Sequence, residues 1–347
     1  MHTPNFERIA KQSVVFERAY VMVALCMPSR TSLLTGRRPD TSRSWTIEVD
    51  EWFRNSGGNW TTLPGKFKEQ GYLTMGMGKI FHETMPSWDP QDARVSWSPE
   101  AFYEHGGQNK NGGLWDPKGI NPPGLEGAEG KGPLAYRFPD EDEPMIQDGN
   151  ITNHAIATIE KMASGGFGAD VASGTRPFFL AVGFHKPHVP WYAPARFWDL
   201  YPLDTVPPTP HPGLVTGSVS VAMQDWQALG FCAQPDMNAS CEPLSKAYPL
   251  DNTTFPHAAA QYARQAYFAT VSWTDANIGK VLDAFEKTSF ADGNDYVLAV
   301  WGDHVSLGRP VAAAEQGDQS QLLRLSGVCV AARLPSLNVS LQQNGLF

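Results

Sequence analysis

A cysteine at the start of a predicted helix is the residue of this 347-residue sequence with the clearest chemical potential. Cys26 precedes Pro28, whose fixed φ suits a first helical turn, and Gly36 marks where the helix would end. Ser29 can accept from free backbone amides there, and Arg30 lies one turn further on. Amides and a guanidinium favour an anion beside Cys26 and lower the pKa of its thiol. The alternative is a buried structural cysteine, because free cysteine is usually buried.

Further polar residues directly follow predicted strands and extend this candidate site. They are Lys79, His82, His185, Asp303 and His304. The carboxyl ends of parallel strands meet at one rim of a sheet, so we expect these side chains to lie together. They would offer cations for a tetrahedral anion, a proton donor, and ligands for a divalent ion. Taken singly, each has a structural alternative: a hydrogen-bonded core histidine, a solvated lysine, or an Asp-His helix cap.

The elements that must position these residues alternate between strands and helices. Helices are predicted at 5–11, 63–70 and 151–162, and strands at 13–20, 72–77, 177–183 and 296–301. A long later helix carries a stripe expected to pack on the sheet, formed by Tyr267, Val271, Thr274, Ile278, Val281 and Phe285. This alternation predicts an α/β fold with a mostly parallel sheet and helices on both faces. The irregular stretches 88–143 and 203–256 are predicted to shape a substrate pocket.

Composition argues against two classes of protein, nucleic-acid binders and membrane-spanning proteins. The net charge of −9 argues against a general nucleic-acid binder, so an anionic substrate must be gathered by a local cluster of cations. No apolar run is long enough to span a membrane, and residues 1–5 do not form a secretory signal pattern. The length suffices for one large α/β domain or two ordinary ones.

Other features nevertheless indicate export. Acceptor sequences for N-glycosylation occur at Asn59, Asn150, Asn238, Asn252 and Asn338. Cys232 and Cys241 lie close together in a polar stretch, which fits a small disulfide loop outside the cytosol or two free thiols. We therefore expect a chain of the secretory pathway, lysosomal or secreted.

Several motifs carry a resemblance to a known family. Cys26-x-Pro-Ser-Arg30 followed by Leu-Leu-Thr-Gly-Arg37 resembles the signature of type I sulfatases. The segments 35–41, 78–82, 178–190 and 267–272 resemble the iduronate 2-sulfatase branch of that family. The resemblance runs from about Thr3 to His304 and implies an alkaline-phosphatase-like α/β fold that removes sulfate from a sulfated sugar.

The resemblance also implies a role for each matching residue. Cys26 is the precursor of formylglycine, made by the formylglycine-generating enzyme, and its hydrate attacks the sulfur of the ester. Arg30 and Lys79 hold the sulfate and the hydrate, and His82 contacts the hydrate and is a candidate base. His185 faces the leaving oxygen. A calcium ion is expected at the metal site, with Asp303, His304 and modified Cys26 as ligands.

The sequence departs from the family pattern in three places. The resemblance implies that this chain lacks the first strand, which carries two adjacent aspartates, and also the smaller C-terminal domain. The segment 315–321 has Gln where a second catalytic lysine is expected. We therefore predict a catalytic domain at 1–304 and a divergent tail at 305–347.

These departures keep three functions open. The first is a sulfuric ester hydrolase, as the motifs imply. The second is an inactive remnant of the same fold that acts at most as a binding module, because the aspartate pair and the lysine are missing. The third, a phosphatase or phosphodiesterase of the same superfamily, is weaker because those enzymes use an unmodified nucleophile rather than Cys-x-Pro-Ser-Arg.

Overall fold

A computed structural model describes residues 1–16, 18–56, 58–82, 92–101, 135–188, 191–207, 257–292, 296–304 and 328–333. The helices are α1 Pro4–Lys11, α2 Cys26–Thr35, α3 Pro39–Ser42, α4 Phe53–Ser56, α5 Leu63–Glu69, α6 Ala93–Ser96, α7 Gln147–Ala163, α8 Ala169–Ala172, α9 Ala195–Asp199 and α10 His257–Glu286. The strands are β1 Leu73–Gly78, β2 Ala135–Phe138, β3 Phe178–Gly183, β4 Trp191–Pro194, β5 Tyr296–Trp301 and β6 Val328–Arg333. Among the described helices, none is both long and apolar enough to cross a bilayer.

The central sheet has the strand order β1-β3-β6-β5. Strands β1 and β3 are parallel and in register from Leu73 opposite Phe178 to Gly78 opposite Gly183. Strand β6 is antiparallel to both of its neighbours, β3 and β5. The sheet is therefore mixed, although β1, β3 and β5 all point the same way. The domain boundary at residue 304 stays a prediction, but a strand from beyond it lies inside the sheet.

Helices cover both faces of this sheet, as the sequence predicts. On one face, alternate residues of β1 and β3 such as Met75 and Leu180 form a core with apolar side chains of α7 and α10. On the other face, Phe179 and Ala181 pack in a second core with residues of α2 and α4, including Met27. The alternation follows from the opposite directions of successive strand side chains. The central sheet is therefore packed on both faces, and α2 lies on the face that carries Phe179 and Ala181.

Helix α10 packs against two different surfaces. Its second half places Ile278, Val281 and Phe285 in the core of the central sheet. Its first half places Tyr267 and Val271 in a third core, built around the separate two-stranded sheet of β2 and β4. The stripe that was expected to lie on one sheet is thus shared between two. The stretch 88–143, predicted as irregular, contributes β2 to the second of these sheets.

Two sequence predictions about strands are wrong. The described part of the segment 13–20 contains no strand, and Val14, Phe16 and Tyr20 are 79%, 77% and 85% exposed. An apolar run becomes a strand only beside a pairing partner, and no described strand pairs with it. Strand β5 exists as predicted but is not buried, because it is the outermost strand of the described sheet and Val297 is 50% exposed.

The other predicted helices and strands are confirmed within a few residues, whereas most of the stretch 203–256 lies outside the described residues. The helix expected at 151–162 begins earlier, at Gln147, and this shift brings Asp148 into its first turn. Strands β1, β3 and β5 end at Gly78, Gly183 and Trp301, immediately before the segments that carry the candidate residues. The fold therefore presents those segments at one rim of the sheet.

Replacing Phe178 by alanine should lower the free energy of unfolding by about 3–5 kcal/mol, because a large buried side chain leaves a cavity. Phe178 is fully buried and meets Phe285 and Phe290 edge to face at centroid distances of 6.3 and 5.1 Å. Urea denaturation measures the change. Val297→Ala, on the exposed face of β5, is the control and should cost no more than about 1 kcal/mol. Equal losses in the two variants would contradict the assignment of the core.

Candidate active site

Helix α2 begins at Cys26, as the motif predicts. Leu25 precedes it in extended conformation and provides no side-chain cap for the helix amides. Ser29 donates its backbone N–H to the carbonyl of Leu25 at 3.1 Å. The helix ends at Gly36, which adopts a left-handed conformation with φ of 65°. Cys26 therefore lies at the electropositive end of a buried helix, and the helix start is not capped by its own N-cap side chain.

Basic side chains from three other segments surround the thiol of Cys26. The Nε2 atom of His304 lies 3.0 Å from Sγ, and Nζ of Lys79 lies 3.7 Å from it. His188 and His82 also hydrogen bond to this sulfur. Burial alone would raise the pKa of Cys26, but the charge of Lys79 and the three histidines outweigh it and lower the pKa to about 3. The site therefore stabilises an anion at position 26.

Arg30 ties this helix to the ends of two strands. Its Nε donates to Asp303 Oδ2 at 2.8 Å, after β5, and its Nη1 donates to the carbonyls of Lys79 and Ile80, after β1. The side chain is 2% exposed, and its Nη2 has no hydrogen-bond partner among the described residues. A buried guanidinium N–H without a partner is costly, so this group is available for an anionic ligand.

His185 is held by a carboxylate that the sequence analysis did not single out. The fully buried Asp148 accepts from the backbone N–H of His185 at 2.9 Å, and its Oδ1 lies 3.2 Å from Nδ1 of the ring. Burial raises the pKa of Asp148, but the hydrogen bond and charge of His185 and the charge of Lys186 outweigh it and hold the pKa below its ordinary value. Gln147 Nε2 lies 3.1 Å from Nε2 of the same ring.

The structure thus brings the predicted residues into one connected site. Cys26, Lys79, His82 and His304 are in direct contact, and Arg30 and Asp303 join them through the buried ion pair. His185 joins through its own turn, because its carbonyl accepts from the backbone N–H of His188 at 2.9 Å. Sequence reasoning missed His188, Gln147 and Asp148. His188 lay within a quoted motif, and the two α7 residues lay just before a helix whose start was predicted too late.

The described donors do not match a calcium site. Cys26, Asp303 and His304 each offer one ligand atom, and these atoms lie within 4.8 Å of one another. Both oxygens of Asp303 are already engaged, Oδ2 with Arg30 and Oδ1 with the backbone N–H of His304. Calcium takes about six to eight oxygen ligands, whereas this set is one sulfur, one nitrogen and one carboxylate. Among the described residues, calcium therefore lacks a sufficient set of ligands.

The predicted modification sites are only partly described. Asn59 is exposed and accepts from Arg54 Nη1 at 2.7 Å. Asn150 is half-buried within α7. Asn238, Asn252 and Asn338 lie outside the described residues, as do Cys232, Cys241 and the segment 315–321. Glycosylation and the disulfide loop remain predictions.

Comparison with known proteins identifies the family of the chain. The family model described as Sulfatase matches residues 1–324. Iduronate 2-sulfatase of Mus musculus is 32% identical over 339 residues, which cover 96% of this chain and 54% of the relative. The Homo sapiens enzyme is 34% identical over 308 residues, covering 88% and 50%. A sulfatase of Formosa agariphila is 27% identical over 318 residues, covering 88% and 54%.

The chain belongs to the sulfatase family, because the family model covers most of its length. The α/β architecture, with helices on both faces of the sheet, is the one that this membership implies. Within the family, the chain falls in the iduronate 2-sulfatase-like branch, as the identities of 32% and 34% show. It spans about half the length of each of these relatives.

The unmodified chain should hold Cys26 as a thiolate across the neutral range. Because the pKa is lowered from 9.0 to about 3, the thiolate should persist between about pH 5 and 8 and disappear only as the pH approaches 3. The difference in thiolate ultraviolet absorbance between the parent and Cys26→Ser measures it during a pH titration.

Removing the charge of Lys79 tests whether this charge lowers the pKa of Cys26. Lys79→Met should move the Cys26 titration to higher pH, since Lys79 contributes the largest of the effects that lower this pKa. Lys66→Met is the matched control, because Lys66 is a surface side chain that is 63% exposed, and it should leave the titration unchanged. A parent titration at the ordinary pKa of a free thiol would contradict the described environment.

Proposed function

We propose that this chain carries the catalytic centre of a sulfuric ester hydrolase that acts through a formylglycine made from Cys26. The observation that carries the proposal is the convergence of Lys79 and three histidines on a cysteine at a helix start, with Arg30 bound to the neighbouring segments through Asp303 and the carbonyl of Lys79. Such a cluster offers cationic donors where a sulfate would develop negative charge. The net charge of −9 makes this local gathering of cations the more notable.

The chain's own residues supply most of the steps of the reaction. A formylglycine at position 26 supplies, as its hydrate, the hydroxyl oxygen that attacks sulfur, which a thiol cannot provide. Lys79 and the amides of α2 stabilise the charge on the sulfate oxygens. His185 gives a proton to the ester oxygen as the sulfur–oxygen bond breaks, so the alcohol leaves neutral. For release of sulfate, His82 accepts the proton of the second hydroxyl of the hydrate; the oxygen of that hydroxyl re-forms the aldehyde carbonyl while the carbon–oxygen bond to the sulfate breaks.

The substrate proposed is a sulfated sugar of the glycosaminoglycan type. Two of the relatives are named iduronate 2-sulfatase, and their matches cover most of this chain. The proposed partner for maturation is the formylglycine-generating enzyme and the proposed location is the secretory pathway, which the acceptor sequences for N-glycosylation support. A calcium ion at Asp303 and His304 would need more oxygen ligands than the described residues provide.

A second function, an inactive sulfate-binding module, is favoured by one observation. The only carboxylate in the described metal group is the one already paired with Arg30. A module of this kind would bind a sulfated sugar through Lys79 and Arg30 without cleaving it. The two functions differ in turnover, so a single activity assay separates them.

Coexpression with the formylglycine-generating enzyme tests the proposal. Mass spectrometry of the peptide that contains Cys26 should show the aldehyde in place of the thiol, and the purified chain should release sulfate from 4-nitrophenyl sulfate. Cys26→Ala should abolish this release. An aldehyde-bearing chain that binds sulfated sugar by calorimetry but releases no sulfate would establish the binding module instead.

Lys79→Met should lower kcat/KM for the aryl sulfate by about 10²–10³, as expected for the loss of one charge-stabilising donor. Lys66→Met should retain the parent rate, because Lys66 pairs at the surface with Glu69. The rates are compared on preparations with equal aldehyde content. A rate for Lys79→Met close to that of the parent would exclude Lys79 from the reaction.

A further inference from the structure

The carboxylate of Asp148, at the start of α7, makes all of its described contacts with the turn that follows β3. It is fully buried in the first turn of α7 and accepts from two consecutive backbone amides, those of His185 and Lys186, at 2.9–3.1 Å. Its Oδ1 also lies 3.2 Å from Nδ1 of His185. One side chain therefore fixes both the backbone and the ring of His185 in the turn after β3.

The chemistry of these contacts determines where the proton of His185 lies. Two of the partners of Asp148 are backbone N–H groups, which only donate, so the ionised carboxylate is the form that matches them. An ionised carboxylate near Nδ1 places a proton on that nitrogen. The other ring nitrogen, Nε2, is then the one that exchanges a proton with a ligand.

The position in front of Nε2 is occupied by the neighbour of Asp148. Gln147 Nε2 lies 3.1 Å from Nε2 of His185, at hydrogen-bond distance. Lys186, the other charged group at this turn, is directed elsewhere: its Nζ donates to the carbonyl of His188 at 3.1 Å and lies 3.5 Å from the centre of the Tyr192 ring. Consecutive residues of α7 thus contact the two nitrogens of one imidazole.

We propose that Asp148 is a positioning residue that holds His185 in the tautomer protonated on Nδ1 and directs Nε2 toward the leaving oxygen of the substrate. Gln147 occupies Nε2 until that oxygen replaces it. The proposal rests on the function proposed above, because it assigns His185 the protonation of the alcohol. For this step Nε2 first takes up a proton from solvent, and this proton moves to the ester oxygen while the sulfur–oxygen bond breaks. The ring is left neutral, with its remaining proton on Nδ1 and donated to the carboxylate of Asp148.

The dependence on the leaving group tests this role. Asp148→Asn should hydrolyse an aryl sulfate with a strongly acidic phenol at a rate close to that of the parent, since such a phenolate needs no proton. On a weakly acidic phenol or alkyl sulfate it should lose about 10²–10⁴ in kcat/KM, the usual contribution of a general acid. His185→Gln should show the same pattern, and the double variant should be no worse than His185→Gln alone.

Glu160→Gln provides a matched control. It removes the same charge from an exposed position of α7, distant in sequence from the first turn, and should retain the parent rate on both classes of ester. An equal loss by Asp148→Asn on good and poor leaving groups would show that Asp148 only supports the fold, and would overturn the proposal.

A spectroscopic measurement decides the question without turnover. Nitrogen NMR of the His185 ring in the parent chain should show the tautomer protonated on Nδ1, and Asp148→Asn should lose it, whereas Glu160→Gln should keep it. A parent ring protonated on Nε2 alone would overturn the proposal even if Asp148→Asn fails to fold. A parent that releases no sulfate from any ester would refute the proposed function, while the tautomer would still be measurable.

Discussion

The site depends on one buried ion pair, between Arg30 on α2 and Asp303 after β5. The two side chains are 2% and 4% exposed, and the same guanidinium also binds the carbonyls after β1. It therefore joins a helix and two strand ends that are far apart in sequence. Removing one partner of such a pair leaves an uncompensated buried charge and costs about 3–5 kcal/mol. The position of Cys26 relative to Lys79 follows from this link.

The electrostatic balance around Cys26 is unusual for an acidic chain. Three histidines and a lysine contact one sulfur, while the carboxylate of Asp303, within 4.8 Å of it, is paired with Arg30. Burial disfavours the charged thiolate, and the cations more than compensate for it. A pocket with this excess of cationic groups favours the binding of an anion. The buried carboxylate of Asp148 is stabilised instead by two backbone amides and by the ring of His185.

Much of the site could be predicted from the sequence because its residues follow strands. Lys79, His185 and Asp303 each come within two residues of a strand end, and three strands that point the same way bring such ends together. The role of Asp148 could not be predicted, because it depends on the exact start of α7 and on a turn contributed by a distant strand. The exposed segment with Val14 and Phe16 shows the opposite limit: apolar periodicity indicates a strand, but pairing decides whether one forms.

The insertion of β6 between β3 and β5 has a consequence for the order in which the molecule is assembled. During synthesis, α2, β1 and β3 leave the ribosome well before residues 328–333, and β5 pairs with β3 only through that last strand. Until it arrives, Asp303 and His304 have no fixed place over the cysteine. The thiol of Cys26 is therefore enclosed late, after a long interval in which its side chain can be reached on the nascent polypeptide.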